Sequence, residues 1–152
     1  MKKFYEKGIT IVELLVVIAV LGIIFSITLP QFSKIRENQV LKNGVTEILS
    51  SISKARSQTL SSLQSSEYGV HFQPDKVIIF KGVVFDVGAT NNETIDIISP
   101  ATISSIVIDG GGSDIYFNRL SGSPSKTGTV TVSSANYSRI ITISATGMTS
   151  VD

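Results

Sequence analysis

The sequence contains no cysteine and only one histidine, His71, among its 152 residues. Without cysteine the chain has no disulfide bridge, no thiol chemistry and few ways to build a structural zinc site. A serine–histidine pair would have to use His71, and no G-x-S-x-G turn accompanies the many serines. The composition therefore points away from an enzyme, and we expect no metal and no cofactor.

The chain also lacks a strong excess of charge of either sign. It has 13 basic and 12 acidic side chains, for a formal net charge of +1. Removal of residues 1–8 would leave 10 basic and 11 acidic side chains, because that segment holds three lysines and one glutamate. So balanced a charge creates no strong field for nucleic acid or anionic lipid.

Residues 9–29 form an apolar run that one carboxylate, Glu13, interrupts. About twenty helical residues at about 1.5 Å each extend about 30 Å, which is the thickness of the hydrocarbon core of a bilayer. The lysines that precede the run, Lys2, Lys3 and Lys7, favour a cytoplasmic N-terminus. The run therefore predicts a single membrane-spanning helix, with the rest of the chain outside the cytoplasm.

Glu13 needs a partner or a function, because a carboxylate in the apolar part of a spanning helix costs about 2.5–3.5 kcal/mol, and less near an end. Neither lysine, arginine nor histidine occurs between Lys7 and Lys34. Cleavage after Gly8 would create an α-amino group on Ile9, four residues before the glutamate. That amine can meet Glu13 of the same or a neighbouring subunit, so processing would supply the missing partner.

The segment Lys7-Gly8-Ile9-Thr10-Ile11-Val12-Glu13-Leu14-Leu15-Val16-Val17-Ile18-Ala19 resembles the N-terminal signature of type IV prepilins and type II secretion pseudopilins. The resemblance implies that a membrane-embedded prepilin peptidase cuts between Gly8 and Ile9 and methylates the new amine. It implies that Glu13 is the assembly glutamate and that Gly22 and Pro30 loosen the helix inside a filament. The implied partners are other filament subunits, an inner-membrane assembly platform and membrane lipid.

Behind the apolar run the pattern stays helical and then changes. Apolar residues recur at spacings of three and four from Leu41 to Leu63, so residues 30–64 are predicted to continue the helix in amphipathic form. From Ser65 the period falls to about two, which predicts a β-rich head over residues 65–152. The predicted strands are Tyr68–Phe72, Lys76–Phe80, Val83–Val87, Thr94–Ile98, Ile103–Ile108, Asp114–Asn118, Thr129–Val132 and Arg139–Ser144.

The expected fold class is α+β. A leader of residues 1–8 precedes a long helix, whose first half, residues 9–29, is transmembrane and whose second half packs against an antiparallel β-sheet head, as in pilins. Residues 54–60, 115–122 and 139–147 resemble the pattern of H-type pseudopilins and related minor pilins. This second resemblance implies two antiparallel sheets beside the helix and a low-abundance subunit near a filament tip.

Some members of that minor-pilin group bind DNA through basic residues near the C-terminus. Here Met148, Thr149 and Ser150 occupy the corresponding positions. The cations Arg119, Lys126 and Arg139 could converge in space and make a weak DNA contact. Because no basic cluster with interleaved aromatic residues accompanies them, DNA is not an expected partner.

Two further features have simple interpretations. Strand alternation places His71 on the face opposite Tyr68 and Phe72, where we expect an exposed side chain without a catalytic or metal role. The segment Asp109–Asp114 contains three consecutive glycines and predicts a flexible turn between strands. Its two aspartates supply too few oxygens for calcium and do not match an EF-hand loop.

The sequence thus predicts a structural subunit, a minor pilin or pseudopilin, that is held in the cytoplasmic membrane with its head outside and then enters an extracytoplasmic filament. Two alternatives stay open: a DNA-binding minor pilin of an uptake pilus, and a plain membrane-anchored binding domain outside any filament. Secretion, adhesive, motile and competence machines are equally compatible with these residues.

Overall fold

The computed structural model describes residues 8–152, except the side chains of Leu29 and Pro30. The predictions on Lys2, Lys3 and Lys7 lie outside the described residues. The chain divides into two compact units, one that ends at Arg36 and one that comprises Glu37–Asp152. Helix α1 (Ile11–Leu60) contributes to both.

Helix α1 is one element of 50 residues that includes Gly22 and Pro30. Residues 8–27 are exposed along its apolar first half. The helix ends at Leu60, and a short 3₁₀ turn, Leu63–Ser65, leads toward the first strand. That Gly22 and Pro30 loosen the helix within a filament stays a prediction.

Within the described residues, eight strands form two antiparallel sheets. Sheet A contains β1 (Tyr68–Phe72), β2 (Lys76–Lys81), β3 (Glu93–Asp96) and β5 (Asp114–Tyr116), in the order β3-β2-β1-β5. Sheet B contains β4 (Thr102–Ile108), β6 (Gly128–Ser133), β7 (Ser138–Ile143) and β8 (Thr149–Val151), in the order β4-β6-β7-β8. The predicted α+β class, a long helix with an antiparallel head, is confirmed.

The second unit has one core, to which the helix and both sheets contribute. The stripe that the sequence predicted on α1 is buried at Leu41, Ile48 and Ile52, whereas Leu60 and Leu63, at its predicted end, are exposed because the helix ends at Leu60. The buried stripe belongs to the same cluster as Phe72 on sheet A and Ile141 on sheet B. Burial of each such side chain contributes about 1.5–3 kcal/mol, so packing of this stripe stabilises the amphipathic half of the helix.

A buried threonine joins the end of the helix to sheet A. The Thr59 hydroxyl donates to the carbonyl oxygen of Ala55 at 2.9 Å, and its oxygen accepts the backbone N–H of Tyr68 at 2.9 Å. Thr59 is fully buried, so these bonds satisfy groups that water cannot reach. The contact fixes where β1 begins relative to α1.

One strand prediction was wrong, and one strand was not predicted. Val83–Val87 is a loop, because Gly82 at a φ of +107° ends β2 and Phe85 folds back over sheet A. Strand β8 was missed because its three residues, Thr149–Val151, carry too short a pattern to be distinguished from a turn. Its pairing with β7 is what completes sheet B.

Candidate functional site in the N-terminal segment

The candidate site lies where helix α1 begins. The oxygen of the Thr10 hydroxyl accepts the backbone N–H of Glu13 at 3.2 Å, and the Thr10 carbonyl accepts the N–H of Leu14 at 3.1 Å. Thr10 therefore caps the helix, and its spacing to Glu13 is that of a capping box. The sequence analysis did not identify Thr10 as the cap, although a threonine three residues before a glutamate is the pattern of a capping box.

Glu13 lies in the first turn of α1. A carboxylate there interacts favourably with the positive end of the helix dipole. Gly8 and Ile9 precede the helix and are exposed, Ile9 at 77%. Cleavage between them would place a new amine one helical turn before a carboxylate, which is the charge pair that the sequence predicted.

The remainder of the segment is apolar on every side of the helix. Between Ile11 and Ile27 its large aliphatic and aromatic side chains are all 44–79% exposed. A helix that is apolar all round needs an apolar environment, such as lipid or other helices. Among the described residues, one helix, α1, is long enough and apolar enough to cross a membrane. A signal sequence near the N-terminus would meet the same criteria of length and composition.

The three cations considered for DNA have different surroundings. Lys126 donates to the carbonyl oxygen of Gly111 at 2.8 Å, in the loop that leads to β6. Arg139 pairs with Val132 at the far end of that strand, about 13 Å from Gly128 at about 3.3 Å per residue. Arg119 lies near the start of the same loop, 117–127, where it lines a pocket with Glu67. None of these contacts gathers the three cations into one basic cluster.

The expectation that His71 is exposed was wrong. Its side chain is 16% exposed, and its ring stacks on Phe85 with the ring centroids 3.9 Å apart. The Nδ1 atom lies 3.6 Å from a carboxylate oxygen of Asp114, which is too far for a hydrogen bond. His71 thus holds loop 82–92 against sheet A, a contact that strand alternation cannot reveal.

The predicted glycine turn is present between β4 and β5. Gly110, Gly111 and Gly112 all have positive φ, and the Thr127 hydroxyl donates to the carboxylate of Asp109. Hydrogen bonds from Lys126 and Thr127 thus hold the turn in place, as expected for a loop with a structural role. Across residues 8–152, no group of three or more histidine, aspartate or glutamate side chains is arranged to hold a metal ion.

Comparisons with known proteins agree with this geometry. Residues 3–29 match the family model of the prokaryotic N-terminal methylation motif. The fold is similar to the crystal structure of the type IV minor pilin FimU of Pseudomonas aeruginosa, with a TM-score of 0.57 and 16% identity. That alignment covers 76% of this chain and 90% of the FimU chain. A search of curated protein sequences found no match.

The methylation motif occupies the segment that contains Gly8, Ile9 and Glu13, and the long helix with two antiparallel sheets is the fold of a pilin. The chain therefore combines a matched N-terminal methylation motif with a fold similar to that of a type IV minor pilin.

Proposed function

We propose that this protein is a structural, minor pilin-like subunit of a type IV pilus or related filament. The observation that carries the proposal is a glutamate in the first turn of helix α1, whose first half is otherwise apolar and exposed, within a matched N-terminal methylation motif. The fold that the chain shares with a minor pilin supports the same conclusion. A pseudopilin of a secretion filament would have the same apolar N-terminal helix, the same glutamate and the same fold.

The first step proposed is processing in the cytoplasmic membrane. The apolar half of α1 spans the bilayer with the head outside, and prepilin peptidase cuts between Gly8 and Ile9 and methylates the Ile9 amine. The position of both residues before the first helical turn, and their exposure, supports access by a protease.

The second step is assembly. An inner-membrane platform moves the helix from lipid into the core of a filament, where it meets the helices of other subunits. This transfer exchanges one apolar environment for another, so burial of apolar surface contributes little free energy to assembly. Pairing of Glu13 with the Ile9 amine of a neighbour supplies register, because an unpaired charge is penalised in both environments.

The test is N-terminal mass spectrometry of the full chain from membranes of cells with active prepilin peptidase. We expect a mature chain that begins with N-methylated Ile9, and an unprocessed chain from matched cells without the peptidase. A chain that begins at Met1 in both strains would contradict the proposal and favour a plain membrane-anchored domain.

A further inference from the structure

The apolar face of helix α1 continues beyond the residues that are predicted to span the membrane. Phe32 and Ile35 are 68% and 67% exposed, as much as Ile27 in the predicted span. Side chains of this part of the helix line one groove, called here the apolar groove, at Ile27, Thr28, Gln31, Phe32 and Ile35. All of them belong to the first unit. The apolar surface thus extends about two helical turns past Thr28.

Two polar side chains of the groove indicate where the hydrocarbon layer ends. The Thr28 hydroxyl donates to the carbonyl oxygen of Ile24 at 3.1 Å, within the helix. A threonine satisfied in this way is compatible with the hydrocarbon layer. The next polar side chain, Gln31, is exposed, and an amide in hydrocarbon costs free energy unless it is hydrogen-bonded. In a helix that spans the bilayer, the boundary with the headgroups therefore falls between Thr28 and Gln31.

Lys34 and Arg36 place two cations at the depth of the lipid headgroups. They lie three and five residues beyond Gln31, which is about 4.5–7.5 Å along the helix. The polar layer on each side of a hydrocarbon core is about 5–8 Å thick. Both side chains are exposed, and at about 100° per residue they lie on either side of Ile35 in the apolar groove. An anion at headgroup depth can therefore meet both cations beside the groove.

The carboxylates nearest in the sequence do not neutralise these cations. No acidic residue occurs between Glu13 and Glu37. The Glu37 carboxylate accepts two hydrogen bonds from Asn136, each at 2.8 Å, and so is held by the head. The ion pairs found among residues 8–152 include neither Lys34 nor Arg36. Both cations are therefore available to an anion from outside the chain.

We propose that residues 27–36 bind an anionic phospholipid in the outer leaflet of the cytoplasmic membrane, with its phosphate between Lys34 and Arg36 and an acyl chain in the apolar groove. A zwitterionic phospholipid offers the same acyl chains, but its own cation neutralises its phosphate, so two unpaired basic residues favour a headgroup of net negative charge. A second apolar helix would cover the groove but leave both cations unpaired. The inference rests on the membrane position in the proposed function, and it adds the class of lipid that holds the subunit before assembly.

Native mass spectrometry of the full chain tests this preference, because each bound lipid is identified by its mass. The chain is released from detergent micelles that contain equal amounts of phosphatidylglycerol and phosphatidylcholine with the same acyl chains. We expect more adducts with phosphatidylglycerol than with phosphatidylcholine. Glycerol phosphate, which has the phosphate without acyl chains, should give no stable adduct. If it binds as well as phosphatidylglycerol, the site recognises a free phosphate and the lipid assignment is overturned.

Paired substitutions locate the site on the helix. Lys34→Gln with Arg36→Gln should lower the ratio of phosphatidylglycerol to phosphatidylcholine adducts about fivefold or more, because each basic residue near an anionic headgroup contributes about fivefold. Phe32→Ser with Ile35→Ser should lower the adducts of both lipids and retain their ratio, because the groove then loses its apolar surface.

The matched control is Lys42→Gln with Arg139→Gln, which removes one lysine and one arginine from the second unit and should leave the ratio unchanged. The inference is overturned by equal adducts of both lipids on the parent chain, or by an unchanged ratio when the cations at 34 and 36 are removed. The same loss in the control, or undiminished adducts when the apolar side chains at 32 and 35 are removed, would also overturn it.

Processing separates this inference from the proposed function. If the chain begins at methylated Ile9 and is present in sheared filaments but shows no lipid preference, only the inference fails. If the chain begins at Met1 in cells with active prepilin peptidase yet keeps the lipid preference, the proposed function fails and the lipid site belongs to a plain membrane-anchored domain. Limited proteolysis of each variant identifies any loss of lipid that results from a misfolded chain.

Discussion

The Nε–H of Arg56 donates to the carbonyl oxygen of Gly122 at 2.9 Å and so joins the end of α1 to the loop after β5. A second nitrogen of the same guanidinium donates to the carbonyl of Thr146 at 3.1 Å. The three segments that resemble H-type pseudopilins, residues 54–60, 115–122 and 139–147, therefore meet at one arginine. A Cβ at Gly122 or Gly147 would lie within 3.1 Å of its Nε atom, which explains a glycine at each position.

Substitution of Arg56 should destabilise the head more than its partial exposure suggests. Arg56→Ala leaves two carbonyl groups without donors, and Arg56→Lys keeps the charge but loses the planar fork that serves both. We expect each variant to lower the free energy of unfolding by about 1–2 kcal/mol. Thermal denaturation of the full chain in detergent measures this change.

The matched control for Arg56 is Lys54→Ala, a substitution two residues earlier on the same helix. It removes the exposed ion pair between Lys54 and Glu93. Exposed pairs contribute at most about 1 kcal/mol, so its denaturation temperature should change little. Equal losses in the two variants would contradict a special role for Arg56.

Glu37 makes the stability of the β6–β7 turn depend on pH. Its carboxylate accepts two hydrogen bonds from Asn136, one from the side-chain amide and one from the backbone N–H, each at 2.8 Å. These bonds favour the charged form and lower the pKa of Glu37 below its ordinary value of 4.5. The stabilisation is therefore complete above about pH 4.5 and is lost as the pH falls through the lowered pKa.

Hydrogen exchange at the Asn136 amide tests this dependence. After correction for the intrinsic rate, protection should fall with acidification below pH 4.5 in the parent chain. In Glu37→Gln the protection should be weaker at neutral pH and should no longer follow a carboxyl titration. Glu47→Gln, on the same helix, should behave as the parent does. Unchanged protection in Glu37→Gln would contradict the predicted contact.

Features that depend on local sequence were predictable, and those that depend on distant contacts were not. The hairpin of β1 and β2 has its alternation and its turn within fourteen residues, Tyr68–Lys81, and its prediction was right. Val83–Val87 is also rich in residues that favour strands, but Phe85 stacks on His71, a contact that the sequence pattern does not contain. The same contact explains why His71 is covered.

The same difference between local and distant features applies to the functional residues. Gly8, Ile9 and Glu13 lie in one continuous motif, so the sequence alone predicts roles for them, through charge, spacing and the resemblance to prepilins. Lys42 and Arg139, by contrast, are far apart in the sequence, and only the folded chain shows that both line one groove beside helix α1.

Gly69 should tolerate no side chain. A Cβ there would lie 2.4 Å from the Phe80 ring and 2.8 Å from the backbone oxygen of Ile115. Gly69→Ala must displace the ring or the pairing of β1 with β5, so we expect a loss of about 1–3 kcal/mol in the free energy of unfolding. Gly88→Ala is the control, since its Cβ would meet only Asp86 at 3.6 Å. Chemical denaturation of both variants should separate them, and equal midpoints would contradict the packing argument.

Glu13→Ala should separate processing from assembly. The predicted cleavage site, Gly8 and Ile9, is intact in this variant, and the helix becomes more apolar, so we expect normal methylation and membrane retention. Incorporation into filaments should fall about tenfold or more, because the Ile9 amine of a neighbour then enters an apolar core without a partner. Glu13→Asp keeps the charge and should recover part of the loss. Quantitative immunoblots of sheared filaments and membranes measure both fractions, and normal incorporation of Glu13→Ala would show that the charge pair does not direct assembly.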